Sequence, residues 1–307
     1  MLMDRMAVGV LGAGTIGIGW AAVAVAHGVD ARLWDPAPGA AERALACLGP
    51  LVADARRAGG VAAAPGEATV ANNVGEAVHG VALVQENGPE DLTVKRSTFQ
   101  KVEEAAPPGA VIASSSSTLT ATEMQAGLAR PGRVIVGHPF NPPHLIPLVE
   151  VIPGSATHPE AVERAVAIYR AMGRSTVALR REVPGHVANR LQAALWREAV
   201  NLMLEGVTDA ADIDLVVTES IGLRWSVAGP NATFHMAGGA DGMTHFLEHL
   251  GSAFQAVWDD LGTPRLDGPT RERIVQLTSV LGDTGILARK RDDALVAFLK
   301  ARCMPRR

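Results

Sequence analysis

At 307 residues the chain has room for about two domains, and 48% hydrophobic against 20% charged residues lets it bury a core, which excludes a small binding module, a disordered tail and a fibrous scaffold. A net charge of −4 from 28 basic and 32 acidic side chains offers no basic footprint for nucleic acid. Cys47 and Cys303 lie far apart and match no metal-ligand spacing, so neither a structural disulfide nor a metal centre is expected, as befits a reduced cytoplasmic compartment.

Residues 7–26 are uncharged and follow Arg5, the outline of a secretion signal. Gly9, Gly12, Gly14, Gly17 and Gly19 disfavour that continuous helix, and no membrane segment is expected. Their spacing reads instead as Gly12-x-Gly14-x-x-Gly17, with Thr15 and Ile16 between the last two glycines, directly after the apolar run AVGVL. The loop opens a helix-like stretch, and a second run, ARLW, ends at Asp35, 18 residues after the last glycine. Strand, glycine loop, helix, strand and acid in that order make a dinucleotide-binding fingerprint. Glycines bring the backbone close to a pyrophosphate, and the free amides of the helix N-terminus favour its charge. Asp35 suits a ribose diol and opposes a 2′-phosphate, which points to NAD; Arg32 and Arg43 keep NADP as the minor alternative.

Further short apolar runs follow at 81–85, 110–114, 133–138 and 147–152, of the kind that forms parallel strands buried on both faces and joined by crossovers. Helix-compatible spacing covers 39–58, 95–105 and 159–172. Beyond Arg180 the pattern changes to helical periodicity over 189–206, 209–222, 246–262 and 270–282, and a charged amphipathic stretch closes the chain at 287–300. The expected fold is therefore α/β: a Rossmann-like, doubly wound NAD-binding domain over 1–184 and an all-helical substrate and dimerisation domain over 185–307, hinged near Pro184-Gly185. Apolar faces on nearly every helix of the second half predict a homodimer.

Polar residues gather where the buried runs end, in VQENGPEDLTVK (84–95), SSSSTL (114–119), GHPFNPPHLIPLVE (137–150) and PGHVANRL (184–191). If the runs carrying His138 and Glu150 are neighbouring strands, the carboxylate can orient and support the imidazole as a general base for alcohol oxidation. Ser117 and Asn189 are the right types to steady an oxygen becoming a carbonyl. Each has a plainer alternative: a packed loop histidine, a surface ion pair for Glu150, a flexible serine loop, and Asn189 as the cap of helix 189–206.

The ordered set GxGxxG…WDP, VQE…PE.L..K, SSSS.L, GHPFNPPHLIPLVE and E.PGHVANRLQ resembles the 3-hydroxyacyl-CoA dehydrogenase superfamily over nearly the whole chain. The VQEN.PEDL and HPFNPP.LIPLVE segments and the later GLRWSVAGP are similar to its L-gulonate 3-dehydrogenase/λ-crystallin branch and to bacterial relatives acting on carnitine and other small 3-hydroxy acids. The resemblance implies His138 as general base, Glu150 as its partner, and Ser117 and Asn189 as contacts to the reacting oxygen. It also implies Asn141 as a holder of the histidine loop or of substrate, with Glu86 and Lys95 on the nicotinamide side. Leu51 and Ala58 stand where the acyl-CoA enzymes carry coenzyme-anchoring residues, Arg56 and Arg57 being the nearby substitutes, and His186 and Pro139 replace aromatics. Arg224 can clamp a free carboxylate or serve as a helix-end charge, and Trp225 and Phe234 are expected in a core or interface. The implied activity is NAD-dependent oxidation of a small 3-hydroxy acid to the 3-keto acid. A 3-hydroxyacyl thioester on CoA or a carrier protein is the alternative substrate, and a crystallin-like role without turnover the alternative class.

Overall fold

The computed structural model describes residues 6–59 and 64–303, the side chain of Cys303 excepted. Eight strands form one sheet: β1 (Ala7–Leu11), β2 (Asp30–Trp34), β3 (Ala68–Val70), β4 (Leu83–Glu86), β5 (Val111–Ser114), β6 (Val134–Pro139), β7 (Leu148–Pro153) and β8 (Ser175–Ala178), in the order β3-β2-β1-β4-β5-β6-β7-β8. The order reverses between β1 and β4, and at such a switch point the loops leaving the two strands diverge and open a crevice beyond their carboxyl ends.

Helices α1 (Thr15–Ala26), α2 (Ala40–Ala46), α3 (Leu48–Ala58), α4 (Val74–Val78), α5 (Leu92–Ala105), α6 (Ala121–Gln125) and α7 (Pro159–Ala171) cover the sheet. Period-two alternation sends successive strand residues to opposite faces. Val8 and Val10 pack with Trp20, Val23 and Tyr169 of α1 and α7, whereas Ala7 and Leu11 belong to a second cluster with Val78, Phe99 and Met124 of α4, α5 and α6. Burial on both faces explains why β1, β4, β5, β6 and β7 read as continuous apolar runs.

Two expectations need correction. The run 147–152 is not a parallel strand reached by a crossover: β7 pairs antiparallel with β6. The connection, residues 140–147, is proline-rich and too short for a crossover helix, so the chain doubles back. The stretch 39–58 forms two helices, broken at Cys47, whose ψ of 0° leaves the helical region.

By its contacts the chain divides between Val187 and Ala188, and the segment from Ala288 groups with the first unit. The second unit holds α8 (Ala188–Leu204), α9 (Ala210–Val216), a π-turn at Val217–Ile221, α10 (Gly222–Trp225), α11 (Pro230–Ala237), α12 (Met243–Asp260) and α13 (Gly268–Thr278). No strand occurs after β8 among the described residues, and no described helix is long and apolar enough to cross a membrane. In this unit Val200, Met203, Ala210 and Ile213 form a small core, and Phe234 packs on Phe246 and Phe254 at 5.0 and 5.2 Å between ring centroids. The last helix, α14 (Thr284–Cys303), buries Val296 against Ala58 and Leu145 of the first unit.

Candidate active site

The glycine loop is built by backbone. Gly12 has φ +89°, donates its N–H to the Trp34 carbonyl at 2.8 Å, and passes so close to Asn87 that an added Cβ would lie 2.9 Å from that residue's carbonyl. At Gly17 a Cβ would meet the Gly12 oxygen at 1.8 Å, so strand and helix approach as only glycine allows. Nothing lies within 4 Å of a Cβ at Gly14, which precedes α1 without a side-chain cap, leaving the first amides of the helix for an anion. Thr15 is exposed in that first turn, and Ile16 packs into the core behind it. Asp35 accepts from the N–H groups of Ala13 (2.7 Å) and Ala37 (2.9 Å), which pins the acid beside the loop. A cavity of about 730 Å³ runs from Gly12, Gly14 and Asp35 to Glu86 and Lys101. Its lining includes neither Arg32, bonded to the His79 carbonyl, nor Arg43, bonded to that of Pro38, so both cations that kept NADP open are turned elsewhere.

At the end of β4 lies a buried ion pair. The Lys95 ammonium bonds both Glu86 oxygens, at 3.1 and 2.9 Å, and Glu86 also accepts from the Gly88 N–H and the Ser114 hydroxyl. Both side chains are buried and fully partnered, the condition under which such a pair is tolerated in low dielectric. Glu86 touches the cavity and Lys95 stands behind it.

The four serines do four different things. Ser114 serves Glu86, while Ser115 joins Gln85, Asn87 and Trp20 in a network that reaches the Tyr169 hydroxyl. Ser116 donates to Glu90 at 2.6 Å, and only Ser117 has a hydroxyl without a partner among the described residues. The loop is not slack: one Glu90 oxygen accepts from the Ser116 hydroxyl, the Ser117 and Thr118 amides and the Thr118 hydroxyl. Burial pushes the Glu90 carboxyl up, but the hydrogen bonds from Ser116 and Thr118 and the Lys95 charge outweigh it and bring it down to about 2.

Antiparallel pairing sets His138 opposite Glu150. Their side chains meet at 3.0 Å, Nδ1 to Oε2, with His138 5% and Glu150 2% exposed. A carboxylate only accepts, so Nδ1 carries a proton, and in the neutral form of the ring the lone pair is on Nε2. The other Glu150 oxygen accepts the Val187 N–H at 2.9 Å, and the rings of Phe140 and His186 stand 4.9 and 5.0 Å from that of His138. The packed-loop and surface-pair alternatives for these two residues do not describe this arrangement.

Asn141 is exposed, and its side chain makes no hydrogen bond among the described residues; the 140–147 loop is held instead by Arg174, whose Nη1 donates to the Pro143 and Ile146 carbonyls. Burial pushes that guanidinium down to about 10. Neither Arg174 nor Glu90 is singled out by the sequence motifs, although Glu90 lies two residues before Leu92-x-x-Lys95. Asn189 and Arg224 belong to the second unit. Because α8 begins at Ala188, Asn189 sits within its first turn and not at its cap, and Arg224 is exposed on α10. Ala58 is buried under Val296, Arg57 is bonded to Asp54 at 2.5 Å, and Arg56 has a buried Nη1 without a partner.

Sheet order, glycine loop and the cavity beside Asp35 define a dinucleotide-binding protein of the Rossmann kind. Two family models match the chain, the 3-hydroxyacyl-CoA dehydrogenase NAD-binding domain over residues 7–183 and the 3-hydroxyacyl-CoA dehydrogenase C-terminal domain over 185–265, and the chain belongs to that family. It is 43% identical over 304 residues to an L-carnitine dehydrogenase of Streptomyces griseus, covering 97% of this chain and 90% of that one. It is 41% identical to an L-carnitine dehydrogenase of Pseudomonas putida, covering 95% and 92%. Among solved structures, 5-formyl-3-hydroxy-2-methylpyridine 4-carboxylic acid 5-dehydrogenase, an NAD+-dependent dismutase, superposes over all of both chains with a TM-score of 0.84 at 30% identity. A 3-hydroxyacyl-CoA dehydrogenase of Archaeoglobus fulgidus superposes over 96% of this chain and 99% of that one, with a TM-score of 0.66 at 25% identity. The protein is thus an NAD-dependent oxidoreductase acting on CH–OH, a dehydrogenase of 3-hydroxy acids.

Proposed function

We propose that the protein oxidises the 3-hydroxyl of a small free acid of the carnitine or L-gulonate kind to the 3-keto acid, with His138 as general base. The observation that carries this reading is the buried His138–Glu150 pair, which leaves Nε2 bare. Nε2 takes the hydroxyl proton, and Glu150, held by the Val187 amide, stabilises the imidazolium that forms. Bound NAD supplies the nicotinamide that accepts the hydride leaving C3. As C3 becomes a carbonyl its oxygen needs a donor, and the uncommitted Ser117 hydroxyl is of the type and in the segment for that task. Asn189 as a second donor, Asn141 as a substrate contact and Arg224 as a bidentate clamp on the carboxylate are proposed on residue type and motif. Glu86 and Lys95 shape the nicotinamide end.

The thioester reading draws on the family name and on relatives such as the Archaeoglobus fulgidus enzyme. Against it stand the uncharged Leu51 and Ala58 and the engagement of Arg57 by Asp54. The test is NADH formation at 340 nm with L-carnitine, L-gulonate and 3-hydroxybutyrate beside 3-hydroxybutyryl-CoA. Turnover of a free acid is expected, and turnover confined to the thioester would overturn the substrate assignment.

We further propose a domain division at 184/185, a cytoplasmic location, where NAD is at hand, and a homodimer formed through the helical part. The second unit exposes Leu191, Trp196, Leu215, Val257 and Trp258, too much apolar surface for a chain alone in water. Light scattering coupled to gel filtration is expected to give twice the chain mass, and a monomer would refute it.

A further inference from the structure

Of the buried polar groups around the base, His186 is the one the proposed oxidation leaves without a task. It is also, among the described residues, the one non-glycine residue in the left-handed backbone region, with φ +53°, directly after Gly185 at φ +74°. A histidine persists in that conformation where its surroundings hold it there. Its N–H donates to the Val183 carbonyl at 3.0 Å, and its Nε2 lies 3.1 Å from the Ser116 carbonyl oxygen.

A carbonyl only accepts, so Nε2 is the protonated nitrogen. Burial, with the neighbouring His138, holds the ring below the ordinary histidine range despite the opposing pull of the Ser116 carbonyl, Glu150 and Glu90, so the ring is neutral and Nδ1 is bare. That Nδ1 is buried and has no partner. A phenyl ring, slightly larger, would strand no lone pair there, so what the imidazole adds is its bond to Ser116.

The bonded carbonyl belongs to the peptide joining Ser116 to Ser117. The N–H of that same peptide donates to Glu90 at 3.0 Å. One peptide plane is therefore pinned at both ends, its oxygen by His186 and its nitrogen by Glu90, and the plane sets where the Ser117 side chain starts. One residue further on, the Val187 N–H holds Glu150. The turn 184–187 thus bonds the serine loop with one residue and the base pair's carboxylate with the next.

We propose that His186 is a positioning residue for the oxidation, tying the Ser117 loop to the His138–Glu150 pair so that oxygen donor and base keep a fixed separation. This rests on the reading of Ser117 as a contact to the reacting oxygen. His186 acts through Ser117 and touches no reacting atom.

The test is a double-mutant cycle on kcat in the full-length chain, using whichever 3-hydroxy acid is turned over. His186→Phe is expected to lower kcat about tenfold, the size of one lost hydrogen bond, with the NAD dissociation constant unchanged. His186→Gln, whose amide can donate to the same carbonyl, is expected to recover to within about threefold of wild type, and in a Ser117→Ala background the His186→Phe loss should shrink to less than about twofold. Wild-type kcat in His186→Phe while Ser117→Ala is impaired would overturn the proposal alone. So would losses that multiply independently, or no recovery with Gln. Wild-type kcat in Ser117→Ala would instead remove the reading of Ser117 on which the proposal stands. If the Phe variant does not fold, His186→Met, of similar bulk and without a donor, takes its place with the same expected and contrary outcomes.

Discussion

The cofactor cradle and the acid–base cluster lie in the same unit but are made in opposite ways. The cradle is local and built of backbone: Gly12, Gly14 and Gly17 supply close approach, and Asp35, 18 residues beyond, is fixed by two amides of the same stretch. The base cluster is assembled from side chains far apart in sequence, with His138 on β6, Glu150 on β7, Ser117 after β5, Glu90 after β4 and Val187 beyond β8. Damage to the first should therefore appear as lost cofactor affinity, and damage to the second as lost turnover at unchanged affinity.

Substitutions can break that contrast in graded steps. In the cluster, Glu150→Gln keeps the shape but removes the charge that supports the imidazolium, and kcat should fall about a hundredfold with NAD affinity retained. Stopped-flow absorbance and a fluorescence titration of NAD separate the two quantities. In the cradle, Gly12→Ala places a Cβ in a left-handed backbone at 2.9 Å from the Asn87 carbonyl, strain of about 1–3 kcal/mol. The NAD dissociation constant should rise about tenfold, while kcat at saturating NAD stays within a few-fold of wild type.

The smallest effect concerns Glu90. Its carboxyl is lowered from 4.5 to about 2 in the folded chain, so the stability it contributes is fully present above pH 4.5 and is lost as pH falls through 2. Glu90→Gln cannot titrate. Melting temperatures of wild type and variant should differ most above pH 4.5 and converge toward pH 2, by a few degrees at most because the side chain is 36% exposed. A constant difference across that range would show that Glu90 is not what holds the serine loop.

The cradle was legible because each of its requirements sits within one strand–helix–strand unit. His138 and Glu150 were legible as types and as neighbours in sequence, but their meeting depends on β7 running antiparallel to β6, which the apolar run at 147–152 does not announce. The serine run looked uniform because its hydroxyls are distinguished only by distant partners, Glu86, Asn87 and Glu90. Two missed helices did carry a local signal: Thr120 and Glu123 form a capping box at α6, and the Asn73 side chain accepts from the Glu76 N–H at α4. Two strands were missed: β3 is only three residues long and not buried, and β8 is mostly exposed, so neither has the apolar run that marks the others.

The most direct measurement of the central claim is NADH formation by His138→Ala with a free 3-hydroxy acid, alongside NAD binding by the same variant. Removal of the base should lower kcat by about a thousandfold and leave the NAD dissociation constant as in wild type. Turnover within tenfold of wild type would show that another group takes the hydroxyl proton and that the buried His138–Glu150 pair is structural.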